Sequence, residues 1–240
     1  MTSTQHRALI TGASSGIGKA TALAFAAAGI EVGLISRSHP NLEAVAQEIE
    51  HLTGTAAAFY PLDLSIVGQV KAAMEAIAAK FQPTILVNNA GMGYTGGLLE
   101  TPLEDWQQVI DLNLTSAFQC IQAVLPGMRD RHQGMIINVT SIAGHQAFPG
   151  WGAYSVSKAG LISLSKVLAA EERANGIRVV NICPGSTNTP IWDTDTVQAD
   201  FDRSQMLPPE AIAQSILHAA LLPPQAVIEE LIVMPSAGAL

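Results

Sequence analysis

The residues with the clearest chemical potential are Ser141, Tyr154 and Lys158, the tyrosine thirteen positions after the serine and the lysine four after the tyrosine. Four residues make about one helical turn, and VSKAGLISLSKVLAAEE around the lysine carries apolar or small residues at helical spacing. Tyr154 and Lys158 are therefore predicted on one face of one helix, an ammonium beside a phenol. A tyrosine phenol titrates at about pH 10, and a neighbouring cation favours the phenolate. The lysine is thus expected to pull the phenol toward neutrality and make it a usable proton donor or acceptor.

A second constellation opens the chain. RALIT (Arg7 to Thr11) reads as a strand, GASSGIG follows at once, and the alanine-rich KATALAFAAAG reads as a helix stopped by Gly29. Gly12, Gly16 and Gly18 allow a tight turn and close approach of a ligand, and the helix N-terminus offers free N–H groups to a pyrophosphate. The second strand, EVGLIS, ends at Ser36 and is followed by Arg37. An acidic residue there would bind the ribose 2′-hydroxyl of NAD, whereas Arg37 suits the 2′-phosphate of NADP. The plain alternative is an exposed loop cation. Asp63, just past the run TAAAFY, either accepts from an adenine amino group or caps the helix that begins near Ser65.

The remaining elements repeat the alternation. TILVNNAG is apolar enough for a parallel strand buried on both faces, and Asn88 to Gly91 leave its end with room for a ligand. One long helix is predicted from Thr101 as N-cap and Pro102 as first residue to about Arg129. Asn113 lies in its middle and reads as a hydrogen-bonded amide. GMIINVTS and GIRVVNICPG are the fifth and sixth strands, PPEAIAQSILHAALL a helix, and EELIVMP the seventh strand. Residues 186 to about 207 show no period and read as a lid. The expected fold is a single domain over 1–240, an α/β Rossmann-type doubly wound sheet of seven parallel strands. Its substrate pocket is expected between Met92 and Tyr94, the His145 to Trp151 stretch, and Ile191, Trp192 and Met206. His145 reads as structural.

Composition narrows the partners. Of the 240 residues 48% are apolar and 13% charged, the net charge is −8, and no Lys/Arg run occurs, which excludes nucleic acid and anionic membrane as main partners. No apolar run reaches the roughly 18 residues of a span, and MTSTQHR has no leader pattern, so a cytoplasmic location is expected. Cys120 and Cys183 have no metal-ligand spacing around them and read as reduced, buried thiols, so no metal is expected. Ala153, Ser157, Gly160 and Ser165 on the catalytic helix would permit close packing against a second subunit.

Taken together, TGASSGIG, NNAG, Asn113, Ser141 with YSVSK, and PGSTNT resemble the short-chain dehydrogenase/reductases over essentially the whole chain. Within that family the chain looks most like single-domain NADP-dependent 3-oxoacyl reductases and 3-hydroxy acid dehydrogenases. The resemblance implies carbonyl–alcohol interconversion by hydride transfer with NADP(H), NAD(H) being the alternative, on a small carbonyl or alcohol substrate, in a homo-oligomer, commonly a tetramer. It implies that Tyr154 exchanges the proton, Lys158 lowers its pKa and binds the nicotinamide ribose, Ser141 donates to the substrate oxygen, and Asn113 positions a relay water. The implied cofactor contacts are Gly12, Ser14, Ser15, Gly16, Ile17, Gly18, Arg37, Asp63, Leu64, Asn89, Ala90, Gly91, Tyr154, Lys158, Pro184, Gly185, Thr187 and Thr189. Many NADP-preferring members carry a further basic residue in the glycine loop, where this chain has Ser14 and Ser15. Specificity then rests on Arg37: Arg37→Asp should raise the ratio of NADH to NADPH activity, and an unchanged ratio in paired cofactor assays removes this assignment.

Overall fold

The computed structural model describes residues 6–238. Met1 to Gln5, which carry most of the leader expectation, lie outside the described residues. Seven strands, Arg7–Thr11 (β1), Glu31–Ser36 (β2), Ala58–Pro61 (β3), Ile85–Asn88 (β4), Gly134–Val139 (β5), Ile177–Pro184 (β6) and Glu230–Val233 (β7), form one parallel sheet in the order β3-β2-β1-β4-β5-β6-β7. The winding reverses between β1 and β4, and a crevice opens there at the strands' carboxyl ends.

Helices Gly16–Ala27 (α1), His39–Thr53 (α2), Val67–Phe81 (α3), Leu103–Ile110 (α4), Ser116–Asp130 (α5), Gly152–Glu172 (α6) and Pro209–Ala220 (α7) cover both faces. Successive strand residues point to opposite faces, so Ala8 and Ile10 pack with Phe25, Leu42 and Ile216 on one side, and Leu9 packs with Met74, Ile121 and Val124 on the other. Both faces being covered explains why the strands read as continuous apolar runs. Among the described residues no helix is long and apolar enough to cross a membrane.

Two expectations are corrected. The long helix begins at Leu103, and Thr101 Oγ1 donates to the Gly97 carbonyl at 2.8 Å instead of capping it. A π-helical turn, Asp111–Thr115, then separates α4 from α5. The turn contains Asn113, whose amide is bound on both sides by groups outside its helix, so side-chain anchoring has won over regular α-helical pairing. Nor do the small residues of α6 face outward. Ala153, Ser157 and Ser165 are buried, and a Cβ on Gly160 would meet Leu114 Cδ2 at 2.8 Å. They seat α6 against its own chain.

Polar pins set the strand ends. Asn88, Asn138 and Asn181 stand side by side on β4, β5 and β6. Asn88 Nδ2 donates to Asn138 Oδ1 at 2.9 Å, and Asn138 Nδ2 donates to Ser165 Oγ on α6 at 2.7 Å. At the far ends of α5 and α6, the wholly buried Glu172 accepts from Arg129 and from Asn175. Those hydrogen bonds, the Arg129 ones foremost, hold its carboxyl below the usual range.

The pin nearest the crevice is Thr11. Its buried hydroxyl accepts from the backbone N–H of Asn89 and of Ala90, each at 3.0 Å, and approaches the Val87 carbonyl at 3.3 Å. Thr11→Val keeps the volume but strands two amides, so it should cost on the order of 2 kcal/mol in denaturant unfolding. It should also weaken cofactor binding; unaltered stability would show that these amides have other partners.

Candidate active site

The site follows from what each strand end delivers. Gly12, in the left-handed region at φ +65°, turns the chain out of β1. A Cβ there would meet Asn89 Nδ2 at 2.8 Å and Ala90 Cα at 2.9 Å, so glycine keeps the first loop tight against the NNAG turn. Asn89 Nδ2 in turn donates to the Thr11 and Gly12 carbonyls at 3.0 and 3.3 Å. Gly16, at φ +52°, opens α1 and would place a Cβ 3.0 Å from Thr189 Cγ2, which ties the loop to the segment after β6.

One cavity of about 600 Å3 runs from this loop to α6. Gly12, Ser14, Ser15, Gly16, Ile17, Arg37, Asp63, Leu64, Asn89, Ala90, Gly91, Ser141, Tyr154, Lys158, Pro184, Gly185, Thr187 and Thr189 all line it. Gly18 and Asn113 stand behind the wall. Gly18 lies under the loop, where a Cβ would strike the Gly12 carbonyl. Asn113 Oδ1 accepts from Met92 N at 2.8 Å, and its Nδ2 donates to Met92 O at 2.9 Å and Ser157 Oγ at 3.0 Å. Both amide hydrogens are thus taken by protein.

Just past the end of β2 Arg37 is exposed, with no ion pair to a carboxylate among the described residues. Beside it Ser36 Oγ is buried without a partner, a polar atom waiting for one. Asp63 does not cap α3, which begins at Val67. Its Oδ1 accepts from Ser65 N and Oγ at 2.9 and 2.7 Å, closing a local turn. The Ser65 hydroxyl is also the main reason its carboxyl sits low.

At the other end Tyr154 and Lys158 lie one turn apart on α6, with Lys158 Nζ 5.7 Å from the centre of the tyrosine ring. Ser141 lies two residues past β5 and caps the short turn Ile142–Gly144, its Oγ accepting from Ala143 N at 3.1 Å. The expected lowering of the phenol by the ammonium is not found. Burial raises the Tyr154 pKa, and only the Ser141 hydroxyl opposes it. Lys158 is itself pushed down to about 8 by burial, and its Nζ donates to the Val139 carbonyl at 3.0 Å. Shared desolvation outweighs the Coulomb attraction that the spacing suggested.

The pocket expectation is also revised. Met92, Phe148, Trp151, Ile191 and Trp192 line the cavity, but Tyr94, His145 and Met206 do not. Tyr94 packs on Val109 and Ala153 and donates to Asp105 at 3.0 Å; His145 turns to Glu230 at 2.7 Å; Met206 is buried. Gln108 and Ile142, which no motif marks, also line the cavity, as do Ser36 at the end of β2 and Val197 and Phe201 from the segment read as a lid. Trp151 stands edge-on to Tyr154 at 5.5 Å and to Trp192 at 5.7 Å, and Trp192 to Phe201 at 5.5 Å, so an aromatic wall leads away from the tyrosine. The segment after β6 is stapled by Arg203, which donates to Asn188 Oδ1, Asp193 Oδ1 and the Thr189 carbonyl.

Comparison with known proteins agrees with this layout. The model of the short chain dehydrogenase family matches residues 6–199. The chain is 37% identical over 219 residues to the 3-oxoacyl-[acyl-carrier-protein] reductase FabG of Thermotoga maritima, covering 88% of this chain and 89% of the relative. It is 35% identical over 186 residues to the D-beta-hydroxybutyrate dehydrogenase of Rhizobium meliloti, covering 77% and 72%. Among solved structures, an alcohol dehydrogenase of the archaeon Thermococcus sibiricus complexed with 5-hydroxy-NADP aligns at TM-score 0.88 and 27% identity over 97% of both chains. A metagenomic short-chain oxidoreductase in complex with NADP aligns at 0.83 and 32%, over 96% of this chain and 97% of that one. Motifs, sheet order and these alignments agree, and the chain belongs to the short-chain dehydrogenases, a family of oxidoreductases acting on carbonyl and CH–OH groups.

Proposed function

We propose that this protein is an NADP(H)-dependent reductase of moderately hydrophobic carbonyl compounds, with Tyr154 as the proton donor. One observation carries the reading: a single cavity joins the glycine loop and Arg37 at one end to Ser141, Tyr154 and Lys158 at the other. The residues fit a dinucleotide on their own terms. The glycines leave a cradle that side chains would fill, the first N–H groups of α1 have no intrahelical acceptor, and Ser36 Oγ and Arg37 are free to receive a ribose phosphate. Two solved relatives, one complexed with 5-hydroxy-NADP and the other with NADP, support the same choice. When bound, the nicotinamide supplies the hydride.

The chain's own residues handle the oxygen. Ser141 hydrogen-bonds the carbonyl oxygen and stabilises the charge that develops there, and the Tyr154 hydroxyl delivers the proton to it. A phenol raised by burial is protonated at neutral pH, the form that reduction requires. Carbonyl reduction should therefore fall as pH rises through the phenol's pKa, whereas alcohol oxidation, which needs the phenolate, should rise over the same range. A pH profile with the opposite slopes rejects Tyr154 as the acid.

The aromatic wall supports the substrate class. Of the residues lining the cavity, Arg37, Asp63 and Lys158 are the charged ones, and none stands on the Trp151–Trp192–Phe201 wall. A neutral carbonyl compound with an apolar body fits that wall better than a free hydroxy acid, whose carboxylate would lack a cation. The exposed apolar residues Leu103, Phe118, Val156 and Val167 on α4, α5 and α6 support assembly into a homo-oligomer as part of the same reading. A panel of aryl, alkyl and carboxylate-bearing ketones assayed with NADPH tests the reading. Tyr154→Phe should lose at least about 100-fold in kcat. Trp192→Ala should raise KM for the apolar ketones about tenfold while leaving KM for NADPH nearly unchanged. Full activity in Tyr154→Phe, or a preference for carboxylate-bearing ketones, overturns it.

A further inference from the structure

Outside the cavity, three side chains from distant parts of the sequence turn toward one point. His145 follows the short turn that Ser141 begins, Cys183 lies near the end of β6, and Glu230 opens β7. The register of β6 and β7 explains the meeting: Glu230 stands opposite Asn181, two residues before Cys183, so carboxylate and thiol emerge on the same face of the sheet. His145 Nε2 lies 3.6 Å from Cys183 Sγ and 2.7 Å from Glu230 Oε1, and all three donor atoms lie within 4.8 Å of one another.

We propose that His145, Cys183 and Glu230 form a binding site for one borderline-soft divalent cation of the zinc class, with a fourth position open to solvent. The donor set of imidazole, thiolate and carboxylate is the set such cations select. Tetrahedral zinc, with Zn–S of about 2.3 Å and Zn–N of about 2.0 Å, has an S···N edge of about 3.5 Å, which the 3.6 Å separation already meets. The N···O edge must open from 2.7 Å to about 3.3 Å. Glu230 is partly exposed and can swing by that amount, and it and His145 give the ion an entrance from solvent.

The surroundings suit the ligands. Thr140 Oγ1 lies 2.8 Å from Cys183 Sγ and can donate to a thiolate, and Lys166 Nζ, 3.9 Å from Glu230 Oε2, orients the carboxylate through its other oxygen. Binding replaces the Cys183 S–H bond with an S–metal bond and releases that proton to solvent. The imidazole proton moves to Nδ1, leaving the Nε2 lone pair for the ion. The site lies beside the reaction centre. Pro184 and Gly185, which follow Cys183, line the cavity, as does Ser141 at the start of the turn carrying His145. Occupancy therefore stiffens two walls of the active site at once.

The test uses the metal-free full chain, Zn2+ followed by calorimetry, and Cd2+ followed by the ultraviolet thiolate-to-metal charge-transfer band. One equivalent of each ion should bind, and Cd2+ should give the band. Cys183→Ser should abolish the band, and His145→Ala and Glu230→Gln should each weaken Zn2+ by about tenfold or more, with thermal melts checking that each variant is folded. Cys120→Ser, which removes a buried thiol elsewhere, should leave both signals intact. No band at one equivalent, a band lost in Cys120→Ser instead, or unchanged affinity in folded His145→Ala and Glu230→Gln overturns the proposal. None of these readouts depends on the enzyme reading above.

Discussion

The parallel pairing of β1 with β4 is the constraint from which the rest of the site takes its positions. It is where the sheet reverses its winding, so the helices that follow the two strands cover opposite faces and a crevice opens at the strand ends. Backbone pairing alone would not hold two loop ends within contact of each other. The Thr11 hydroxyl does so by accepting from two amides of the NNAG turn, and Asn89 returns the bond to the carbonyls of the first loop. Glycine at position 12 follows from that clamp, because any side chain would push the two turns apart.

The half that carries Ser141, Tyr154 and Lys158 is positioned by a different device. β5 is tied to α6 through Asn138 and Ser165, and the π-helical turn presents Asn113 to Ser157 on the same helix. α6 is therefore held at two points along its length, one on each side of Lys158. This rigidity is bought with buried polar groups, and it sets the electrostatics as well. Lys158 and Tyr154 are both withdrawn from water, so each is driven toward its neutral form. The result is a phenol held in its neutral form beside a lysine pushed down to about 8.

Beyond the tyrosine, the cavity changes character. Its charged residues, Arg37, Asp63 and Lys158, lie away from the outer wall that Trp151, Trp192 and Phe201 make. The segment that carries Trp192 is held down by Arg203 and by Thr196, which donates to the Gly93 carbonyl. Shape and polarity at that end thus depend on a long segment whose own sequence has no period.

What the sequence determined by itself was local. Strand, glycine loop and helix at Arg7 to Gly29, the apolar strands and the Tyr154–Lys158 step are all legible because each depends on residues within one or two turns of each other. The order of motifs was enough to place the family, and so to name Asn113. Only the tertiary structure decided how those groups behave. Asn113 breaks its helix because partners 21 and 44 positions away take its amide. The phenol is raised because burial, which no spacing reveals, outweighs one nearby charge. Tyr94 and Met206 leave the pocket while Phe201 enters it, and a histidine that reads as a lone loop residue meets Cys183 and Glu230 through the register of β6 and β7. Long-range strand pairing and desolvation set all of these, and neither can be read from residues taken in order.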